Sequence, residues 1–225
     1  MSRTLLALLC PCTLLPVTLT AQNLLVNGGF ENEPNWGHGV GVNDPGETAL
    51  TGSQIPGWTI EPNHAVTVHI ASGPYLTISG NYTVNSDGEG YNGHNANFYQ
   101  DFSGLSGVSY ALEFNWQSWG AYVTPTTSKL EISVNDTTTS AVLFDGLYSY
   151  DGSGPHLVHD VLTGFVGTGH SLRLRIQETP ESGYNDNTFV VDNFSVTTVP
   201  EPAAISMIAL GGLACVFGRK RPVGF

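Results

Sequence analysis

The stretch YALEFNWQ, residues 110–117, alternates large apolar side chains with smaller or polar ones. Its large apolar positions are Tyr110, Leu112, Phe114 and Trp116. Successive side chains of a β-strand point to opposite faces, so a period of two predicts a strand with one buried face and one wet face. Residues 130–134 and 172–176 repeat the pattern. These three segments predict strands of antiparallel sheets that bury one face only.

The rest of the chain between the termini extends the same pattern. Short runs rich in Val, Ile, Phe, Tyr and Thr occur at residues 24–26, 65–70, 96–102, 141–144, 157–166 and 188–197. Clusters of Gly, Asn, Asp and Pro separate them, and no stretch sustains apolar residues at helical spacing. We therefore expect an all-β domain of about nine strands, a number that favours a jelly-roll β-sandwich over an immunoglobulin-like one. The long segments 33–56 and 79–95 are predicted loops, and such loops are often functional.

The first 21 residues differ in composition from this domain. They carry Arg3 and an apolar run, and they end in the small residue Ala21 before polar Gln22 and Asn23. This order is typical of a secretory signal peptide, with Ala21 just before the cleavage point. The sequence thus predicts export, with the secretion machinery as a partner.

Cysteine content and charge narrow the possible functions of the domain. The three cysteines, Cys10, Cys12 and Cys215, all lie outside residues 22–198, so we expect neither disulfides nor thiol chemistry in the domain. The chain has a net charge of −12, and only Lys129, Arg173 and Arg175 of its seven basic residues fall within that range. A domain this acidic is repelled by phosphate backbones, which excludes nucleic acid as a partner.

The C-terminus has three parts in a fixed order. VPEP at residues 199–202 precedes 15 apolar residues, 203–217, and then the basic cluster Arg219, Lys220 and Arg221. A helix of that length spans about 22 Å, which is short of a hydrocarbon core of about 30 Å. The basic cluster would stay in the cytoplasm and hold the domain outside. We expect a temporary membrane anchor, and an ordinary short tail anchor is the alternative.

This tail, with the motif Pro200, Glu201 and Pro202, resembles the PEP-CTERM sorting signal, a family also known as the ice-binding protein C-terminal domain. The resemblance implies that an exosortase recognises and cleaves the tail in a Gram-negative bacterium that makes extracellular polysaccharide. It implies an exported protein of the cell envelope or extracellular matrix, anchored transiently in the inner membrane by the tail alone. The chain divides into a signal peptide (1–21), a sandwich domain (22–198) and a sorting signal (199–225).

Four segments of the domain carry a second resemblance. NLLVNGGFE (23–31), IPGWT (55–59), FSGLSGVSYALEF (102–114) and VVDNFSV (190–196) look like the galactose-binding-like jelly roll, which carbohydrate-binding modules and DUF642-type wall proteins share. In many relatives a structural Ca²⁺ joins the first loop to the last strand. The resemblance implies that Glu31 and Asp192 hold such an ion here.

A physical argument supports a cation at Asp192. Asp192 has the strand parity of Val190, Phe194 and Val196, so a regular strand would turn its carboxylate towards the core. An unpaired buried charge is costly, and carbonyls near residues 27–29 could complete the shell of a hard ion. The alternative is a β-bulge that turns Asp192 to solvent.

No nucleophile elbow, zinc-protease motif or phosphate-binding loop occurs, which predicts a domain without catalytic activity. His156 and His159, three residues apart on one strand, would face opposite sides and could not share a metal without a local turn. Asp87 and Glu89 could be imagined as glycosidase carboxylates, but they lie in a Gly-rich loop and are better explained as solvated. No catalytic residue is predicted.

Sugar binding needs exposed rings with planar polar groups beside them. Trp58 and Trp116 are expected in the core, whereas Trp119 and Tyr122 follow in a loop. The candidate ligand residues are Trp119 and Tyr122, then Asn115 and Gln117, and Arg173 and Arg175 on what we expect to be a neighbouring strand. We expect a module that binds extracellular polysaccharide. A calcium-stabilised structural matrix protein without a defined ligand is the alternative, and a polysaccharide hydrolase is a weaker one.

Overall fold

A computed structural model describes residues 22–32, 47–70, 77–86, 96–118, 129–149, 158–179 and 189–200, and every structural statement below concerns these residues. Eleven strands are present in them: β1 (Glu47–Leu50), β2 (Thr59–Ile60), β3 (Val66–Ile70), β4 (Tyr82–Asn85), β5 (Asn97–Ser103), β6 (Ser109–Ser118), β7 (Lys129–Asp136), β8 (Val142–Tyr148), β9 (His159–Val166), β10 (Ser171–Thr179) and β11 (Phe189–Thr198). The domain is all-β, as predicted.

The strands form two antiparallel sheets. The six-stranded sheet has the order β1-β3-β4-β11-β6-β9, and the five-stranded sheet has the order β2-β5-β10-β7-β8. From β5 onward the chain passes from one sheet to the other at almost every connection, with only β7 and β8 consecutive in one sheet. This alternation is the jelly-roll β-sandwich that the strand count predicts.

The inner faces of the sheets carry the apolar side chains that recur at every second position of the sequence. Tyr110, Leu112, Phe114 and Trp116 of β6 are buried, and so are the matching apolar positions of β7 and β10. Trp58 is buried too, as expected, within an aromatic cluster where its ring centroid lies 5.4 Å from that of Phe98. Each such side chain stabilises the fold by about 1.5–3 kcal/mol through its burial.

The alternation in the sequence does not predict three of the short strands. β1 and β4 lie inside the segments predicted as loops, and β2 has only two residues. The prediction of uninterrupted loops at 33–56 and 79–95 is therefore wrong, because four-residue strands between Gly- and Asn-rich flanks show too little alternation. Residues 24–26 are not a strand either, although Leu24 donates its backbone N–H to Val196 at 2.8 Å.

Within the described residues, no helix is long and apolar enough to cross a membrane. Residues 1–21 and 201–225 lie outside this part of the chain. The signal peptide and the apolar sorting helix therefore stay predictions.

Candidate functional site

A β-bulge interrupts β11 on the six-stranded sheet. Asp192 pairs with Asn115 of β6, but the next paired residue of β11 is Ser195, opposite Glu113. Two residues, Asn193 and Phe194, therefore stand opposite one, Phe114. Asn193 has a φ of 56°, a left-handed conformation that asparagine tolerates better than most residues.

The bulge changes which side chains of β11 face the core. Phe189 and Val191 belong to the core before it, and Phe194 and Val196 belong to the core after it. Asp192 thus lies on the outer face of the sheet, and the expectation that its carboxylate points into the core is wrong. The bulge does not expose it to solvent either, since Asp192 is fully buried.

The segment 79–83 covers the carboxylate of Asp192. Its Oδ2 atom accepts hydrogen bonds from the backbone N–H and hydroxyl of Ser79, at 3.2 and 3.1 Å, and from the Thr83 hydroxyl at 3.1 Å. Its Oδ1 atom accepts one from the Asn193 backbone at 2.7 Å. Burial raises the pKa of Asp192 from 3.8 to about 6, against the opposing effect of these hydrogen bonds.

Glu31 binds the same segment from the other side. Its Oε1 accepts the backbone N–H groups of Asn81 and Tyr82 at 2.8 and 3.1 Å, and its Oε2 accepts the Asn81 side-chain amide at 3.2 Å. Gly80 has a φ of 59°, and a Cβ there would overlap Oε1 of Glu31. Glycine at position 80 thus avoids both the strain of a left-handed backbone and displacement of the Glu31 carboxylate.

The two predicted metal ligands therefore flank one short loop. We call the cluster of Glu31, Ser79, Asn81, Asp192 and Asn193 the acidic junction. A Cβ on Gly29 would lie 3.9 Å from Oδ1 of Asp192, 3.6 Å from Oδ1 of Asn193 and 4.0 Å from Cγ of Glu31.

The space beside Gly29 is thus bordered by side chains that carry oxygen, the donor type that Ca²⁺ prefers. Oδ2 of Asp192 and both carboxylate oxygens of Glu31 already accept hydrogen bonds from the segment 79–83. Within the described residues no group of three or more His, Cys, Asp or Glu side chains could hold a metal. A Ca²⁺ here would depend on amide and backbone oxygens as well as the two carboxylates.

A shallow groove of about 320 Å³ lies beside the bulge. Its lining includes Glu113, Asn115, Asp160, Leu162 and Asn193. Asn193 donates its side-chain amide to Asn115 at 2.7 Å, and Asn115 donates in turn to Asp160. The predicted ligand residue Asn115 is thus held within the groove wall, whereas Gln117 is buried at 3 % exposure, which leaves little of it for a ligand.

The predicted polar surface joining Asn115 and Gln117 to Arg173 and Arg175 does not exist as one surface. β6 belongs to the six-stranded sheet and β10 to the five-stranded sheet, so their outer faces lie on opposite sides of the sandwich. The error has a physical reason: alternation shows which residues share a face of one strand, but not which strands are neighbours.

The outer face of the five-stranded sheet carries both arginines. We call the residues Asn97, Tyr99, Asp101, Arg173 and Arg175 the arginine face. The Arg173 guanidinium donates to both carboxylate oxygens of Asp101, at 2.7 and 2.9 Å, and its central carbon lies 3.5 Å from the Tyr99 ring centroid. The Asp101 carboxylate raises the pKa of Arg173, so this side chain is always charged.

Arg175 is held more loosely than Arg173. It lies opposite Tyr99 in the β-ladder, and its Nε donates to Asn97 Oδ1 at 2.9 Å. Its two terminal nitrogens have no hydrogen-bond partner within the part of the chain described. The arginine face therefore combines an aromatic ring with a planar donor group whose outer N–H groups donate to no described residue.

Two further predicted ligand residues, Trp119 and Tyr122, lie outside the described residues, as do His156, Asp87 and Glu89. Sequence reasoning missed Asn97, Tyr99 and Asp101. Their outward positions could have been predicted from the alternation of NFYQDFS, residues 97–103. The residues that lie next to them could not have been predicted, because the pairing of β5 with β10 joins residues 68 to 80 positions apart.

Residues 198–221 match the PEP-CTERM protein-sorting motif. The match confirms the resemblance of the tail, and the motif indicates an exported protein with a C-terminal sorting signal. No curated protein matches the chain.

The chain is similar to several solved structures over most of its length. TmCBM61, solved in complex with β-1,4-galactotriose, has 15 % identity and a TM-score of 0.46 over 79 % of this chain and 99 % of its own. CBM35 from Paenibacillus barcinonensis has 18 % identity and a TM-score of 0.39 over 68 % and 99 %. A putative sugar binding protein from Bacteroides thetaiotaomicron has 10 % identity and a TM-score of 0.40 over 79 % and 100 %. The strand order of the chain itself makes the domain a jelly-roll β-sandwich, and residues 198–221 carry a PEP-CTERM sorting motif.

Proposed function

We propose that this protein is exported to the envelope or extracellular matrix of a Gram-negative bacterium and that an exosortase processes its tail. The motif match at residues 198–221 supports this, together with the order of VPEP, apolar segment and basic cluster. The secretion machinery would remove residues 1–21. The tail would then hold the sandwich at the inner membrane until it is cleaved.

We also propose that the sandwich binds polysaccharide, without catalysis, through the arginine face. The observation that carries this proposal is Arg175, fixed at Nε by Asn97 while its terminal N–H groups have no partner among the described residues. Sugars present hydroxyl groups in fixed directions, and a pre-oriented planar donor recognises them at low entropic cost. Tyr99, paired directly with Arg175, lies beside the donor, and one face of its ring is stacked on Arg173.

Binding to a polysaccharide array tests this proposal. Residues 22–198 would be applied as the unchanged sequence, as Arg175→Gln and as Lys129→Gln, an exposed position of the same sheet that loses the same charge. We expect one glycan class to retain the unchanged domain and the Lys129→Gln variant, but not Arg175→Gln. Equal retention of both variants would assign binding elsewhere, with Trp119 and Tyr122 as the next candidates.

The acidic junction favours a second candidate function, a structural matrix protein stabilised by calcium. Asp192 and Glu31 would hold one structural Ca²⁺ beside Gly29, with Asn193 and backbone oxygens completing its shell. The ion would supply positive charge next to a fully buried carboxylate and so fasten the segment 79–83 to β11.

Thermal unfolding of residues 22–198 with Ca²⁺ and with chelator separates the two candidates. A calcium-dependent rise in Tm combined with no retention on any glycan would favour the structural role. Glycan retention that depends on Arg175 would favour the binding module whether or not calcium stabilises it. An unchanged Tm would remove the Ca²⁺ site.

A further inference from the structure

Among the residues that the structure describes, one end of the sandwich carries no exposed charge apart from a single histidine. Four segments meet there, residues 103–109, 137–141, 164–171 and 197–200, and none of them contains Asp, Glu, Lys or Arg. Backbone hydrogen bonds join them: Gly107 donates to Gly167 at 2.9 Å, Thr137 to Ser171 at 3.0 Å, and Gly104 to His170 at 3.2 Å. We call this end the exit rim, because the chain leaves the sandwich there.

The exit rim is unusual in a chain with 19 acidic residues. Its one titratable side chain that reaches solvent is His170, whose Nδ1 lies 2.8 Å from Asp136, a residue that is itself buried. Elsewhere on the described surface, acids such as Asp101, Asp145 and Asp160 are exposed. The absence of carboxylates at this end is therefore a local feature and not a property of the whole surface.

Large apolar side chains project from the same end. Leu105 is 65 % exposed, Val166 is 53 % exposed and Val199 is 44 % exposed. Val166 pairs with Ser109, and Val199 donates its backbone N–H to the same residue at 2.9 Å, so the two valines lie on either side of β6. The rim thus presents apolar tips among small, uncharged residues.

The sorting tail starts at this rim without a linker. The motif match begins at residue 198, while β11 ends at Thr198 and Val199 is still hydrogen-bonded to β6. Four residue steps of at most about 3.6 Å place Ala203, the first apolar tail residue, within about 14 Å of Val199. A headgroup layer takes up about 5–7 Å of that distance. With the apolar tail in a bilayer, little more than about 8 Å remains between the rim and the headgroups.

We propose that the exit rim rests on the lipid surface while the tail anchors the protein, so that the sandwich has a fixed orientation on the membrane. This inference rests on the proposed anchoring by the tail. An anionic bilayer surface repels carboxylates, and the four rim segments contain none, so Glu201 is the single carboxylate between Val199 and Ala203. Leu105, Val166 and Val199 are placed to enter the headgroup region, and the arginine face, on the side of the sandwich, stays accessible to polysaccharide.

Lipid quenching of a fluorophore tests the orientation. Residues 22–225 contain all eleven strands and the tail, and Cys215→Ser leaves them without cysteine. An environment-sensitive label would be attached to Ser106→Cys in the rim or, as the matched control, to Lys129→Cys at the opposite end of the sheets. Each protein would be reconstituted in vesicles of phosphatidylethanolamine and phosphatidylglycerol that carry a headgroup nitroxide.

We expect the label at position 106 to be quenched several-fold more than the label at position 129. Adding Leu105→Asp and Val166→Asp should reduce quenching at position 106, whereas Leu147→Asp, an exposed residue of the five-stranded sheet, should not. Equal quenching at both positions in protein that floats with the vesicles would overturn the docking and leave the anchoring intact. Failure to float with the vesicles would overturn both. Unchanged quenching in the double variant would overturn the role of the rim.

Discussion

At the scale of single residues, Asp192 is a polar group held firmly by the structure around it. It is fully buried and accepts four hydrogen bonds from Ser79, Thr83 and Asn193. A carboxylate in such a position satisfies donors that would otherwise be buried without partners. Its importance is therefore structural whether or not a cation binds beside it.

Asp192→Ala should lower the free energy of unfolding by about 2–4 kcal/mol, because the donors of Ser79 and Thr83 lose their acceptor inside the fold. Urea denaturation in the presence of chelator measures this. Asp160→Ala, an exposed residue of the same sheet face, should cost about 0.5 kcal/mol or less. Similar losses for the two variants would contradict the account of Asp192.

Gly80 tests the contact between the loop and Glu31. Gly80→Ala combines a left-handed backbone with an overlap on the Glu31 carboxylate, whereas Gly52→Ala has a φ of 60° and open space around the new Cβ. The first should be more destabilising than the second by about 1–2 kcal/mol. The excess should disappear in a Glu31→Ala background, and an excess that remains would show that the overlap is not its cause.

At the scale of strands, the sequence predicts faces well and neighbours poorly. The inward residues of β6, β7 and β10 follow from a period of two, which is a property of each strand alone. Which strands pair depends on segments that are distant in the sequence, and a single strand carries no sign of its partner. The prediction that Arg173 and Arg175 lie beside Asn115 is wrong for this reason, because they lie on the other sheet. β4 was missed because four residues are too few to establish a pattern.

The bulge in β11 is the other feature that alternation does not reveal. It adds one residue, and this turns the carboxylate of Asp192 from the expected core position to the outer face. The sequence contains one weak signal for it, an asparagine at position 193, where a left-handed conformation is needed. That signal alone could not have placed the bulge.

Deleting Asn193 should therefore keep the core residues of β11 on their present face. Without the extra residue, Asp192 and Phe194 become consecutive, and outward Asp192, inward Phe194, outward Ser195 and inward Val196 alternate as in a regular strand. Deleting Ser195 would instead turn Val196 to the outer face. We expect the Asn193 deletion to keep a cooperative unfolding transition, measured by circular dichroism, and the Ser195 deletion to lose it. Loss of the transition in the Asn193 deletion alone would contradict the assigned register.

At the scale of the whole molecule, the pKa of Asp192 connects stability to pH. Its folded pKa is about 6 and its unfolded value is about 3.8, so the folded state binds the proton more tightly. With chelator present, the free energy of unfolding should fall as pH rises from about 4 to about 6, by at most about 3 kcal/mol, and this contribution should stay constant above that range. Denaturation across this range measures it, and the slope should vanish in Asp192→Asn.

The three parts of the molecule follow one another in a consistent order. In the orientation that we propose, the tail would hold the protein at the membrane, the exit rim would lie next to the lipid, and the arginine face would point along the membrane surface. An anchored sandwich in this orientation could bind polysaccharide before the tail is cleaved.

The most direct test of the account is the affinity of the arginine face for polysaccharide. The dissociation constant of residues 22–198 for the retained glycan would be measured by calorimetry for the unchanged domain, Arg175→Gln and Lys129→Gln. Loss of one charge-assisted hydrogen-bonding group should weaken binding by about 10-fold to 150-fold in Arg175→Gln, with Lys129→Gln within about 2-fold of the unchanged domain. Equal affinities for all three proteins would contradict the assignment of the binding site to the arginine face.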